Sequence, residues 1–217
     1  MSETGGLHGI VHVVDDDRAF RTAVGRLLRA AGHDPRLHAS AHEYLAAGDT
    51  AGPACLLLDL RMPGSTGLEL QQLLLRRGDT HPVIFLSAHG DVSTTVRAMQ
   101  DGALTFLTKP VQERELLDSV AQALERDTRR QERRAHLEVI RRRYASLTRR
   151  ERQVMAGVVA GLLNKQISFA LDSAERTVKT HRSRVMEKMM VRTVPDLVHV
   201  AEELLEAGEV LERPPGT

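Results

Sequence analysis

The chain has 217 residues, 41% of them hydrophobic but only 3% aromatic, which is enough for one large domain or two small ones with aliphatic cores. Its net charge of +1 conceals a gradient: residues 1–124 carry 11 Lys/Arg against 15 Asp/Glu, residues 125–143 carry 8 against 4, and residues 144–217 carry 11 against 10. The lone cysteine, Cys55, excludes an intrachain disulfide framework or a thiolate metal cluster, and no apolar run reaches the roughly 18 residues of a membrane span. The N-terminal residues lack the basic and apolar regions of a signal peptide, so a cytoplasmic protein with no membrane partner is expected.

Along the first 124 residues, strand-like and helix-like patterns alternate. "GIVHVV" reads as a strand, and Phe20, Ala23, Val24, Leu27, Leu28 and Ala31 then recur on one helical face until Gly32 stops it. A weaker strand and helix fill 35–47. "CLLLDL" is a second apolar strand, followed by a Pro-Gly-rich loop and a helix over Leu68 to Leu75. "PVIFLS" is a third, after which Val92, Val96 and Met99 share a helical face. "ALTFLT" is a short strand before Lys109 and Pro110, and Leu116, Leu117, Val120 and Leu124 stripe a last helix. The count is five βα units, and apolar strands alternating with amphipathic helices indicate a doubly wound parallel sheet, an α/β fold with ligands bound at the carboxyl ends of the strands. From Glu125 to His136 almost nothing is apolar, which reads as a solvated helical spacer. Short helices follow. Thr148 and Glu151 form a capping box before an apolar face of Val154, Met155, Val158, Val159 and Leu162. Asn164 is placed to cap the next helix, the turn Asp172-Ser173-Ala174 precedes a helix from about Glu175 to Met190, and Thr193 caps a fourth whose core side carries Leu197, Val198, Ala201, Leu204 and Leu205. This is a helix-turn-helix layout.

The strand ends carry the chemistry. "VHVVDDD" delivers Asp15, Asp16 and Asp17, and "CLLLDL" delivers Asp59. Asp17 is placed to cap the first helix. In a parallel sheet Asp15, Asp16 and Asp59 converge, and three carboxylates repel unless a cation intervenes; their hard oxygens suit Mg²⁺. Ser87 and Lys109 follow two further strands, and a hydroxyl and an ammonium can bind phosphoryl oxygens. Such a set suits acyl-phosphate formation on an Asp. Each member alone has an ordinary alternative: a loop acid, a turn serine, a solvated lysine. It is their joint placement that points to a site.

These motifs, "VVDDD", "LLLDLRMPG", "FLSAHGD" and "FLTKP", stand in the order and spacing of the receiver domain of bacterial two-component response regulators, which residues 7–125 resemble. The resemblance implies that Asp59 accepts phosphate from a sensor histidine kinase. It implies further that Asp15, Asp16, Asp59 and the backbone carbonyl of Arg61 hold Mg²⁺, that Ser87 is the switch hydroxyl, that Lys109 contacts the phosphate before a cis bond to Pro110, and that Phe106 is the rotating aromatic.

In the helix from Glu175, Val178, Val185 and Met189 fall on one face, and residues 176–192 hold six Lys/Arg against one acid, Glu187. A basic helix after a tight turn suits a major groove, though a basic face is as often merely solvated. The stretch "LTRRERQVMAGVVAGLLNKQIS" with "TVKTHRSRVMEKM" resembles the LuxR-type helix-turn-helix of the NarL/FixJ regulators over residues 146–208 and is closest to FixJ-like proteins. That resemblance implies base contacts by Lys179, Thr180 and Ser183, and phosphate contacts by Lys165, Arg176, Thr177, Arg182 and Lys188. Relatives often carry Ile-Ser in the turn; Ser173-Ala174 departs from this, and Ala cannot cap, so the helix start is open to a one-residue shift.

The expected protein is thus a flavodoxin-like receiver (7–125), a charged helical linker (126–145) and a four-helix DNA-binding domain (146–208). Phosphorylation would dimerise its receivers through the face built by residues 91–110 and promote binding to double-stranded promoter DNA, with RNA polymerase a further candidate partner. Phosphatases of the haloacid dehalogenase type also use an Asp nucleophile with Mg²⁺, but they expect a second Asp two residues later, where Arg61 stands, so no enzyme is expected. A receiver that works without phosphate is disfavoured by the intact set of site residues.

Overall fold

A computed structural model describes residues 8–48, 52–88 and 92–216, and the chain divides into two compact units, one up to Gln131 and one from Glu132. His89, Gly90 and Asp91 of the FLSAHGD motif, the side chains of residues 92–94 and the expected domain start at residue 7 lie outside the described residues.

The first unit alternates β1 (Ile10–Val14), α1 (Arg18–Ala30), β2 (Asp34–His38), α2 (Ala41–Ala46), β3 (Ala54–Asp59), α3 (Gly67–Arg76), β4 (Val83–Ser87), α4 (Val92–Gln100) and β5 (Thr105–Thr108) before the long α5 (Glu113–Ala145). The strands are all parallel in the order β2-β1-β3-β4-β5. β3 is central and all six of its residues are buried, the reason its sequence is continuously apolar rather than alternating. Its Cys55 and Leu57 face α1 and α5, in a core with Val11, Val13, Ile84, Leu86, Val24, Leu28, Leu116 and Val120. Leu56 and Leu58 face α2, α3 and α4, with Val14, Phe85, Tyr44, Leu70, Leu74 and Ala98. On the expected apolar face of α4, Val96 is 48% and Met99 44% exposed; among the described side chains of this helix, Ala98 enters the core.

On the α2 side, two histidines are buried against each other. His12 Nδ1 lies 3.0 Å from His38 Nε2, with Tyr44 edge-on to both rings. Burial and then the neighbouring His38 push His12 down to about 4, and burial lowers His38 as well. The unfolded chain takes up these protons below about pH 6.5 while the folded chain resists, so the stability present above pH 6.5 is lost as pH falls toward 4. For His12 alone that is about 3 kcal/mol across the window. In a Tyr144→Phe background, melting followed by Tyr44 fluorescence between pH 7 and 4.5 should show this slope, and His12→Asn should flatten it.

Asp127 contradicts the reading of residues 125–136 as a solvated spacer. It is fully buried, accepting hydrogen bonds from the Ala54 amide (3.0 Å) and Gln131 Nε2 (2.7 Å) and pairing with Arg130. Farther along the same helix, Ile140 is 1% exposed and packs in the second unit. The expected linker of residues 126–145 is therefore shared: its first turns pack on the sheet and its later turns pack in the helical unit.

The second unit adds α6 (Arg149–Val159), α7 (Asn164–Ala170), α8 (Glu175–Met189) and α9 (Val194–Glu206) around Val154, Met155, Val158, Ile167, Val178, Val185, Met189, Leu197, Ala201 and Leu204. The Thr148–Glu151 and Thr193–Asp196 capping boxes form. Asn164, expected to cap α7, is its first helical residue: Leu163 takes the cap position and its amide is satisfied by Gln166 Oε1 at 2.7 Å. Leu205, expected in the core, is 54% exposed. Residues past 208 also pack here, Leu211 against the core and the Glu212 amide on the Tyr144 hydroxyl at 3.3 Å. No helix of the described residues is long and apolar enough to cross a membrane.

Candidate functional site

The carboxyl edge of the sheet gathers the strand-end groups. Asp15 follows β1, Asp59 ends β3, Ser87 ends β4 and Lys109 follows β5. Asp15 is fully buried, Asp59 7% and Ser87 2% exposed, while Asp16 is open to solvent. One carboxylate oxygen each from Asp15, Asp16 and Asp59 lies within 4.8 Å of the others. Three hard oxygen donors at that spacing fit a divalent cation such as Mg²⁺.

Lys109 closes the site from the β5 side. Its Nζ lies 2.6 Å from Asp15 Oδ2 and 3.2 Å from Asp59 Oδ1, and its amide donates to the Ser87 carbonyl at 2.7 Å, joining the two strand ends. The Lys109–Pro110 bond is cis. Burial raises the Asp59 carboxyl above the usual range; Lys109 opposes that shift, and Asp15 adds to it. Burial alone would lower the Lys109 ammonium, but its bond to Asp15 and the charges of Asp15 and Asp59 outweigh this and hold it above its ordinary value. Asp59 is thus a desolvated carboxylate facing one cation, a suitable acceptor for an electrophile that arrives with counter-charge.

Neighbours hold this geometry. Asp17 caps α1 by accepting from the Ala19 and Phe20 amides at 2.8 and 3.1 Å, and the Arg21 guanidinium binds the Asp15 carbonyl. Gly67 must be glycine, because a Cβ there would meet the Asp59 carbonyl oxygen at 2.4 Å and Phe85 at 2.9 Å. Phe106 lies in β5 opposite Phe85, partly buried against the α2–α4 core. Arg61 is exposed two residues beyond Asp59. Phe20, read from sequence only as part of the α1 core stripe, also lies under Lys109, whose Nζ is 4.2 Å from its ring centroid. The one available signal was its position at the third residue of a helix starting at the strand end.

In the helical unit, Ala174 takes the cap position of α8 with no side-chain cap bond, so Ser173 does not cap early. Asp172 makes the turn with φ 46°, a conformation Asp tolerates better than most residues. Val178, Val185 and Met189 face inward, and Arg176, Thr177, Lys179, Thr180, Ser183 and, on α7, Lys165 are exposed. Lys179 pairs with Glu175 at 3.3 Å within α8. Two of the expected phosphate contacts already have protein partners. Arg182 donates to Asn164 Oδ1 at 3.1 Å, which leaves the rest of its guanidinium available. Lys188 is held by Glu151, itself 2% exposed, at 2.7 Å and by the Ser146 carbonyl at 3.2 Å. This ion pair ties α8 to α6. Lys188→Ala should lower unfolding stability by about 2 kcal/mol by leaving Glu151 buried and unpaired. The salt dependence of DNA binding should keep its slope; a slope shallower by about one would return Lys188 to the phosphate contacts.

Comparison with known proteins agrees with both halves. Residues 11–121 match the response regulator receiver domain, and residues 145–201 match the bacterial regulatory proteins of the luxR family. The chain is 39% identical over 198 residues to the response regulator protein TmoT of Ectopseudomonas mendocina, covering 91% of this chain and 90% of that one. It is 39% identical over 191 residues to the transcriptional regulatory protein FixJ of Azorhizobium caulinodans, covering 88% and 90%. A low-resolution structure of the response regulator StyR superposes with a TM-score of 0.83 at 42% identity over 90% of this chain and 99% of that one. A flavodoxin-like parallel sheet ending in an acidic cluster, followed by a LuxR-type helix-turn-helix, places this chain among the two-component response regulators of the NarL/FixJ type, which regulate transcription by binding DNA.

Proposed function

We propose that Asp59 is the phosphoacceptor and that its phosphorylation by a sensor histidine kinase switches this chain's binding to promoter DNA. The convergence of Asp15, Asp16, Asp59, Ser87 and Lys109 at one sheet edge carries this reading. An Asp59 oxygen attacks the phosphorus of a phosphohistidine; the P–N bond breaks as the acyl-phosphate P–O bond forms, and the leaving imidazole keeps the electron pair and takes a proton. Asp15, Asp16, Asp59 and the Arg61 carbonyl would hold Mg²⁺, which would supply charge neutralisation for the transferred group. Lys109, already within 3.2 Å of Asp59, stabilises the developing charge, and Ser87, in the neighbouring strand, donates to a phosphoryl oxygen.

The product is a new dianion at the end of β3, and the elements that respond to it are Ser87 and Phe106 on β4 and β5. The half-open Val96 and Met99 of α4 supply apolar surface for pairing two receivers, and two α8 helices then reach half-sites related by a twofold axis. Lys179, Thr180 and Ser183 read bases; Lys165, Arg176, Thr177 and the free part of Arg182 bind phosphates. RNA polymerase is the further partner at a promoter, the setting is the cytoplasm, and the chain turns over no substrate of its own: Arg61 occupies the place where a phosphatase of this chemistry carries its acid. Selection of bound DNA by wild type and Asp59→Asn, each with acetyl phosphate, tests the proposal. Wild type should enrich one sequence more strongly and sediment as a dimer; equal enrichment by both proteins overturns it.

A further inference from the structure

We propose that Phe20 is a positioning residue for the phosphoryl-binding lysine, holding the Lys109 ammonium over the site through the face of its ring; this rests on the role given to Lys109 above. The ammonium sits between two carboxylates and one aromatic face: 2.6 Å from Asp15 Oδ2, 3.2 Å from Asp59 Oδ1 and 4.2 Å from the Phe20 centroid. The Lys109 side chain is only 17% exposed, so little water shares the task of solvating it. In such a setting the negative face of an aromatic ring attracts a cation, more strongly the drier the contact.

The three partners differ in what else claims them. Asp15 and Asp59 belong to the oxygen cluster that fits a divalent cation, and Asp59 is also the proposed acceptor. A ring face ligates neither a hard cation nor a phosphoryl group. It is therefore the partner of Lys109 that keeps its place when the carboxylates are engaged, leaving the three N–H donors free to turn toward a phosphoryl oxygen. The ring is itself fixed from below: Asp17 accepts the Phe20 amide at 3.1 Å, and the side chain packs on the α1–α5 core. Capping of α1 thus sets the position of the lysine across the sheet edge.

The test places phenylalanine, tyrosine or pentafluorophenylalanine at position 20 of the full chain. Fluorination keeps the shape of the ring and removes its negative face. The rate at which acetyl phosphate labels Asp59 should be retained with tyrosine and fall about threefold to tenfold with the fluorinated ring. In the metal-free wild type the Lys109 ε-protons should show an upfield ring-current shift that Phe20→Leu removes. Equal labelling across the series, or an unshifted Lys109 in wild type, overturns the inference. Labelling that persists in Asp59→Asn would instead overturn the phosphoacceptor assignment, whatever the fluorinated series shows.

Discussion

Asp59→Asn should abolish labelling by acetyl phosphate or a phosphorylated kinase, while the same change should raise the thermal stability of the metal-free protein. The two effects have opposite signs because they come from one charge. Asp59 is 7% exposed beside a fully buried Asp15, and burial first, then Asp15 and Asp16, work against its ionised form, with Lys109 opposing them. An Asp whose carboxyl is raised on folding loses stability as pH rises through and above its ordinary value, so at neutral pH the site is held in an unfavourable charge state. Asn removes that charge and leaves Lys109 its shorter bond to Asp15. A gel assay of acyl phosphate and a melting curve without divalent cations measure the two effects. Residual labelling in the variant would exclude Asp59 as the acceptor, and an unchanged or lower melting temperature would show that Lys109 already offsets the repulsion.

Asp127→Ala should destabilise the sheet unit by about 3 kcal/mol, a large share of a small domain's stability. The substitution strands the buried Ala54 amide at the start of β3, leaves Gln131 Nε2 with only its bond to the Gly52 carbonyl and removes the carboxylate that pairs with Arg130. Asp127→Asn keeps one acceptor oxygen and should cost about 1 kcal/mol. The chain has two tyrosines, so in a Tyr144→Phe background Tyr44 reports urea unfolding of the sheet unit alone. The midpoint should fall with the slope unchanged. A loss below about 0.5 kcal/mol would mean that water satisfies Ala54 in the variant and that the anchor carries no weight.

This residue marks the limit of what pattern reading can reach. Asp127 stands among Glu125, Arg126, Arg129 and Arg130, and by composition its surroundings are those of a solvated helix. Its burial depends on where β3 begins across the sheet, a contact 73 positions away in the chain. Lys188 is a similar case. Its helical phase on a basic helix matches that of a phosphate contact, and only the approach of α6 gives it Glu151 as a partner. Phe20 fits an apolar stripe equally well with or without a lysine above it.

The parallel sheet, the strand-end carboxylate cluster and the helix-turn-helix were legible in the sequence, because each is written in local periodicity or in residues placed at strand ends. A parallel sheet whose central strands are apolar can bury both faces only under helices, and that arrangement brings Asp15, Asp16, Asp59, Ser87 and Lys109 to one edge. Tertiary contacts settled which polar groups are drawn into the fold and which face solvent: Asp127 is buried under β3, Lys188 pairs with Glu151, Ser183 and the Glu175-paired Lys179 are exposed, and Phe20 lies beneath Lys109. Charge and helical phase are properties of a segment. Desolvation and pairing depend on what other segments bring within about 4 Å, and the chain alone does not state those distances.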